Sequence, residues 1–350
     1  MVKDFDHFTD RRTFQLKQGR DKYLHNMLSG KTGHEWKALR SLVSPIFTSG
    51  KIKHMYPLVC KNANVLVAHS LRQAAQQPYV DMKVNFGCYS IDTIASCAFG
   101  IECNSLGGNN NSNNNSNNNS NKNTWDGNSD FARNADVFFQ KGPRKILKFL
   151  ALSMFPSITR LFNLTYTGPE VDFFREVIEK ALAMRREGDV KRGDFLDLIL
   201  EARGTTKEEQ FKNKEVLSDD SIVSQSMLFL VTGYDTTASA LSFCSYELAR
   251  NPSEQQRLRD ELRGLVVKEG KEGDGYNLTY EAIMEAKFLN ACMNAMRFAL
   301  LEAMVALAKL VLSAELSLSP GQDTLVLELG PGVIRPKHGV KLVLKPIVKE

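Results

Sequence analysis

The sequence predicts a mainly α-helical fold that carries a small β element near its C-terminal end. Apolar residues recur at helical spacing over long stretches, as in residues 55–66. Helix boundary residues accompany other stretches: Pro169 lies just inside the start of one segment, and Asn251 followed by Pro252 opens another. Alternation of apolar and polar residues is confined to residues 323–348, which predicts a terminal hairpin or small sheet.

Length and composition set the broad class of the protein. The chain has 350 residues, 43% of them hydrophobic, which is enough for one large domain or two ordinary ones. Its 45 Lys and Arg residues nearly balance 40 Asp and Glu residues, so the net charge is only +5. Because no strongly basic block is present, we expect no nucleic-acid partner. The six cysteines lack metal-ligand or paired spacing, which favours reduced, buried thiols over a disulfide framework.

Two segments raise the question of membrane contact. Residues 298–312 form the longest apolar stretch, but Glu302 and Lys309 interrupt it, and it is shorter than the ~18 uninterrupted apolar residues of a membrane span. We therefore expect no transmembrane anchor in this chain. Residues 142–164 mix Lys and Arg with Phe, Leu and Ile. They predict either peripheral membrane contact by an amphipathic element or a helix hairpin packed on the core.

Residues 107–123 form a low-complexity segment built mostly from Asn and Ser. Since this composition has almost nothing to bury, it predicts a disordered loop insertion that adds no stability. The Asn-x-Ser triplets within it arise by chance in a polyasparagine run, and no secretion signal accompanies them.

A polar interruption lies inside the apolar stretch of residues 226–243, where Thr232, Gly233, Asp235 and Thr236 occur together. Gly233 costs ~1 kcal/mol in a helix interior but lets a bulky group approach the backbone. The Thr236 hydroxyl can bond back to the carbonyl of Thr232, and a buried Asp235 is costly unless it is paired or used. The combination predicts a local opening in one continuous helix, suited to proton delivery to a small ligand. A kinked core helix with a satisfied Asp explains the same residues.

A second pair of residues points to an anionic ligand. Trp36 and Arg40 are four residues apart, so on a helix they share one face. An indole N–H and a guanidinium side by side form a donor pair suited to a carboxylate. Followed by the phrase SPIFTSGKIKHMYP at residues 44–57, the pair makes the chain resemble the cytochrome P-450 family, the haem-thiolate monooxygenases, in its insect- and vertebrate-type members. The resemblance implies haem as the cofactor, with Trp36 and Arg40 holding a haem propionate.

By the same resemblance, Thr232 and Gly233 line an oxygen-binding groove, and Asp235 and Thr236 are the catalytic residues that relay protons. Thr232 stands where the family usually has Ala or Gly, which narrows the groove. The implied activity is insertion of one oxygen atom into an apolar small molecule, with electrons from an NADPH-dependent reductase. The implied location is the endoplasmic reticulum membrane.

The resemblance treats residues 1–350 as a single, incomplete cytochrome P-450-like domain. Membrane-bound members of the family carry an anchor helix and a first sheet before the region that matches Met1, so the chain is expected to be truncated there. Residues 1–290 and 296–350 match the family separately. We therefore predict a junction of two family segments near residues 294–297.

The iron ligand of the family is missing from its expected place. It is a Cys in a Phe-x-x-Gly-x-Arg-x-Cys-x-Gly loop, and this chain has Met293 at that position. Cys292 is one residue out of register, and a fused helix over residues 285–312 would make it an inert buried thiol rather than a metal ligand. We therefore expect an inactive chain of a haem-dependent monooxygenase lineage. The alternative is a non-catalytic truncated isoform, pseudogene product or faulty gene model that binds no haem.

Overall fold

The computed structural model describes residues 21–106, 134, 147–148, 162, 165–187, 192–204, 216–267, 276–293, 297–329 and 334–347. Two compact units divide the chain. Unit 1 comprises Met1–Lys51, Ala98–Gly100 and Asn134–Val231, and unit 2 comprises Ile52–Cys97, Ile101–Arg133 and Thr232–Glu350. The single domain over residues 1–350 stays a prediction.

The described part of the chain is mainly α-helical with a few short antiparallel strands, as the sequence predicted. Its helices are α1 (Asp21–Asn26), α2 (Gly33–Val43), α3 (Ser49–Gln76), α4 (Met82–Ile94), α5 (Glu170–Glu187), α6 (Phe195–Arg203), α7 (Asp219–Arg250), α8 (Pro252–Leu265), α9 (Tyr280–Glu285), α10 (Lys287–Cys292) and α11 (Arg297–Ser313). Its strands are β1 (Val80–Asp81), β2 (Ala314–Leu318), β3 (Leu327–Leu329), β4 (Ile334–Pro336) and β5 (Lys341–Pro346).

Unit 1 has a core in which aromatic rings pack together. Phe195 and Phe229 stack with ring centroids 5.0 Å apart, and the ring of Phe47 lies 6.0 Å from the first and 5.5 Å from the second. Phe195 begins α6, whose N-cap Asp194 accepts a hydrogen bond from the backbone N–H of Asp197 at 3.1 Å. This cap satisfies an N–H that the helix leaves unbonded, and it fixes where α6 begins beside the aromatic cluster.

Unit 2 is built around α4 and α11, which are buried on almost all sides. Phe86, Tyr89 and Ile91 of α4 are fully buried, and so are most of the described side chains of α11. α11 is apolar nearly all round, and such a helix belongs in an interior because it has no polar face to present to solvent. The hydroxyl of Tyr89 donates to the backbone oxygen of Glu302 at 2.9 Å, which joins the two helices.

Two small antiparallel sheets accompany the helices of unit 2. β1 and β2 both pair with β5, in the order β1-β5-β2, and β3 pairs with β4. The hairpin of β3 and β4 and the strand β5 confirm the β element predicted over residues 323–348. β2 was not predicted, because Ala314 begins the strand directly after Ser313 ends α11, with no turn residue between them.

The helices predicted around residues 55–66, after Pro169 and from Pro252 are confirmed, and one predicted helix is wrong. α5 begins at Glu170, beside Pro169, and α8 begins at Pro252. The single helix expected over residues 285–312 does not form. Its first part, α10, ends where the backbone of Met293 leaves the helical region at φ −109° and ψ 10°.

Some predictions fall on residues that the structure does not describe. These are the insertion at residues 107–123, the junction residues 294–296 and most of residues 142–164. Within the last segment, Leu147 and Phe162 are described, and both side chains are exposed. No helix in the described part of the chain has the length and apolar character needed to span a membrane.

Candidate functional site

Helix α7 carries the polar interruption that the sequence singled out. It runs as an α-helix without a break from Asp219 to Arg250, so the predicted opening is not an interruption of the helix. The Thr236 hydroxyl donates a hydrogen bond to the carbonyl oxygen of Thr232, one turn earlier, as predicted. The hydroxyl is therefore held against the helix backbone.

At Gly233, helix α7 lies against Ile94 of α4. A Cβ atom added there would lie 2.5 Å from Cδ1 and 3.2 Å from Cγ1 of Ile94. Ser90 of α4 also donates a hydrogen bond of 3.3 Å to the Gly233 carbonyl oxygen. The space that glycine leaves on this side is filled by Ile94, so the close approach of the two helices requires glycine.

The four residues of the motif divide between an open side and a buried side of α7. Thr232 is exposed, and Gly233 and Thr236 are half-buried. Asp235, in contrast, is only 3% exposed. The fold therefore brings the predicted groove residues together with Thr236, and it places the carboxylate of Asp235 in the interior of unit 2.

Asp235 is neutralised by a lysine from α4. Its Oδ1 accepts a hydrogen bond from Nζ of Lys83 at 2.5 Å, and the same Nζ donates to Oγ of Ser239 at 3.2 Å. Its Oδ2 lies 4.0 Å from Nη1 of Arg335 and accepts no hydrogen bond from the described residues. Breaking such a buried pair by removing one partner costs about 3–5 kcal/mol, because a charge is left in the interior. Lys83, 152 residues away, had no signal in the sequence.

A second buried acid, Glu302, lies close to Gly233. It is 1% exposed, and its Oε1 accepts a hydrogen bond of 2.8 Å from Oγ of Ser90. Its Oε2 has no hydrogen-bond partner among the described residues. Burial raises the pKa of Glu302 to about 8, against the opposing effect of the Ser90 hydrogen bond. In the sequence, Glu302 is a lone acid in the apolar stretch of residues 298–312, and this position alone did not predict a role at the site.

The second predicted motif forms a contact on the surface of unit 1. Trp36 and Arg40 share one face of α2, as predicted, and the guanidinium carbon lies 5.2 Å from the centre of the indole ring. Trp36 is half-buried and Arg40 is exposed. The contact is a cation–π interaction that leaves the guanidinium open to an anionic group.

Several of the described cysteines have thiols with a raised pKa. Burial raises the pKa of Cys103, Cys244 and Cys292, that of Cys244 to about 12, so these thiols stay protonated near neutral pH. At the expected ligand position, Met293 is buried at the end of α10. No group of three or more His, Cys, Asp or Glu side chains in the described ranges is placed to hold a metal ion. At the ligand position that the family resemblance gives, the side chains are therefore a buried thioether and, one residue away, a thiol whose pKa is raised.

The described residues define a class of mainly α-helical proteins with small antiparallel sheets and a long helix that carries a Gly-x-Asp-Thr sequence. A family model described as cytochrome P450 matches residues 1–294. The chain belongs to the cytochrome P450 family, and this membership implies haem as the cofactor.

Curated relatives agree with this assignment. Cytochrome P450 3A29 of Sus scrofa is 32% identical over 307 residues, which cover 84% of this chain and 53% of that protein. Cytochrome P450 6a2 of Drosophila melanogaster is 32% identical over 343 residues, which cover 96% of this chain and 62% of that protein. Probable cytochrome P450 6a18 of the same fly is 28% identical over 346 residues, with coverage of 97% and 62%. The chain spans between half and two thirds of the length of these relatives.

Proposed function

We propose that this chain is a non-catalytic form of a haem-dependent monooxygenase and that it makes no haem–thiolate bond. The observation that carries the proposal is the end of α10. Buried Met293 occupies the place that the family resemblance gives to the iron ligand, and burial raises the pKa of the neighbouring Cys292 thiol. The family match ends at residue 294, beside the predicted junction at residues 294–297, which supports the loss of a segment at that point.

The activity proposed for the lineage is insertion of one oxygen atom into an apolar small molecule, with electrons from an NADPH-dependent reductase. Haem, when bound, supplies the oxygen chemistry. The exposed position of Thr232 supports it as a groove residue, with Thr236 holding a proton at its Oγ. Ile94 fills the space beside Gly233, so the groove proposed at Gly233 requires the Ile94 side chain to move. The exposed guanidinium of Arg40 beside Trp36 supports a propionate-binding role for that pair.

Of the two residues proposed to be catalytic, Thr236 is the one on the open side of α7. Asp235 is engaged by Lys83 on the buried side. Its proposed part in proton delivery therefore requires that ion pair to open.

The proposal includes residence at the endoplasmic reticulum membrane, with peripheral contact through residues 142–164. The exposed apolar side chains of Leu147 and Phe162 support it. Flotation of the chain with neutral and with anionic vesicles tests this part. We expect binding to be lost in a Leu147→Asp, Phe162→Asp variant.

The spectrum of the reduced, haem-treated chain in carbon monoxide tests the main proposal. We expect no red-shifted thiolate Soret band and no turnover. A version with a Phe-x-x-Gly-x-Arg-x-Cys-x-Gly loop inserted between Asn294 and Arg297 is expected to gain the band. A band in the present chain that disappears in Cys292→Ser, but not in the control Cys244→Ser, would show that Cys292 is the ligand and would overturn the proposal. Sequencing the transcript across this junction separates a natural short form from a faulty gene model.

A further inference from the structure

Two of the six cysteines meet where α10 contacts α7 within unit 2. The Cys244 thiol donates a hydrogen bond to the carbonyl oxygen of Cys292, 48 residues away in the sequence, over 3.2 Å. Burial raises the pKa of Cys244, and the electrostatic effect of Cys292 raises it further. Both side chains are half-buried, so small reagents can reach them.

The contact places the Cys244 sulfur close to the backbone of Cys292. A carbonyl oxygen lies about 2.4 Å from the Cα of its own residue, so Sγ of Cys244 lies at most about 5.6 Å from the Cα of Cys292. A disulfide brings the two Cβ atoms to about 3.8 Å. Cys292 is the last residue of α10, and Met293 already leaves the helical conformation. The backbone of Cys292 is therefore held by a helix on one side only and can adjust.

Nearby charges suppress the ionised form of both thiols. Burial is the main cause of the raised pKa in each case, and carboxylates add to it. The charged side chains that act on the pair are Glu247, Glu254, Glu261 and Arg257. Glu261 also accepts hydrogen bonds from the first N–H groups of α10, at 2.8 and 3.0 Å, so it holds this helix beside α8. Since neither thiolate is stabilised, the reduced pair reacts slowly, and a disulfide, once formed, resists reduction.

We propose that Cys244 and Cys292 form a dithiol that a peroxide oxidises to an intramolecular disulfide joining α7 to α10. Cys292 first loses its proton and attacks one peroxide oxygen. The O–O bond breaks, which leaves a sulfenic acid on Cys292 and one water. The sulfur of Cys244 then attacks the Cys292 sulfur. The S–O bond breaks, the S–S bond forms, and the Cys244 proton leaves with the hydroxide as a second water. The two thiols are oxidised by two electrons, and the peroxide is reduced to water.

The disulfide would act on the end of α10, next to the predicted junction. It closes a loop of 48 residues between two helices. Restricting the unfolded chain in this way is expected to raise the thermal midpoint by about 5 °C. The inference does not depend on haem or on the proposed function.

Mass spectrometry of the full chain after mild hydrogen peroxide treatment and blocking of remaining thiols tests the proposal. We expect one pair of peptides joined through Cys244 and Cys292, absent in Cys244→Ser and in Cys292→Ser. Cys60→Ser is the matched control, because Cys60 is also half-buried but lies beside Tyr56, and it should keep the linked pair.

A second readout needs no variant. Phenylarsine oxide bridges two close thiols, and we expect it to protect Cys244 and Cys292 together from alkylation in the reduced wild-type chain. Higher oxides on Cys292 with Cys244 still reduced would overturn the proposal. So would disulfides that join two chains, or protection of neither thiol by the arsenical.

Discussion

The buried acids of unit 2 and the Trp36–Arg40 pair on the surface of unit 1 lie in different surroundings. Asp235 is 3% exposed and Glu302 is 1% exposed, whereas Arg40 is open to solvent. Removing one partner of a buried charge pair costs several kcal/mol, and an exposed pair contributes about 1 kcal/mol or less. A strong motif in the sequence therefore does not indicate how much stability depends on it.

The largest effect is expected at Glu302 and depends on pH. Its folded-state pKa, about 8, lies above the usual 4.5. Its contribution to stability is therefore complete below pH 4.5 and is lost as the pH rises through about 8, a change of about 5 kcal/mol. Urea unfolding across this range should show wild-type stability falling with pH, and Glu302→Gln should flatten the slope. Glu315→Gln, at an exposed position, is the control and should keep it. If the unfolding free energy of wild type and of Glu302→Gln falls equally with pH, Glu302 is not the cause of the pH dependence.

Lys83→Met is expected to have the next largest effect, a loss of ~3 kcal/mol, because it removes the cation that is hydrogen-bonded to the buried carboxylate of Asp235 and leaves only Arg335, 4.0 Å from Oδ2. Denaturant midpoints measure the loss. The double variant Lys83→Met, Asp235→Leu should recover most of it, since no charge then remains buried. Lys61→Met removes an exposed ion pair with Glu102 of similar length and should cost under about 1 kcal/mol. Equal losses in the two single variants would show that burial is not the difference.

Gly233→Ala should destabilise unit 2 by ~2 kcal/mol, because the new methyl group would meet Ile94 at 2.5 Å. Thermal unfolding of Gly233→Ala alone and with Ile94→Val measures the cost and its partial relief. Gly264→Ala in α8 is the matched control. Its added Cβ meets no atom within 4 Å, so helix propensity should stabilise this variant by up to about 1 kcal/mol. Stabilisation of Gly233→Ala would instead mean that α4 is not packed against this glycine.

The smallest effect is expected at the surface pair. Arg40→Ala should lower stability by about 0.5–1 kcal/mol, through loss of the cation–π contact with Trp36 at 5.2 Å. The stability of Arg40→Lys should lie between that of Arg40→Ala and that of the wild type. The measurement is the denaturant midpoint in low salt. A loss of stability as large as that of Lys83→Met would mean that the Trp36–Arg40 pair is buried. The contrast between the two regions would then be wrong.

Much of the secondary structure follows from local pattern. α5 and α8 begin beside the residues that the sequence marked, Pro169 and Pro252. The bond from the Thr236 hydroxyl to the Thr232 carbonyl spans one helical turn, so spacing alone predicted it. The end of α10 was not predictable in this way, because apolar periodicity continues through Met293 while the backbone does not.

By itself, the sequence determined the mainly α-helical class, the family, and the residues that make up both motifs, because periodicity, helix boundaries and motif spacing are local properties of the chain. Only the tertiary structure decided what those residues contact. Lys83 neutralises Asp235 across 152 residues, Ile94 fills the space left by Gly233, and Cys244 meets Cys292 across 48. These pairings depend on which helices pack together and at which residues. The packing of helices is determined by the burial of apolar surface over many residues at once, so it cannot be predicted from the individual positions.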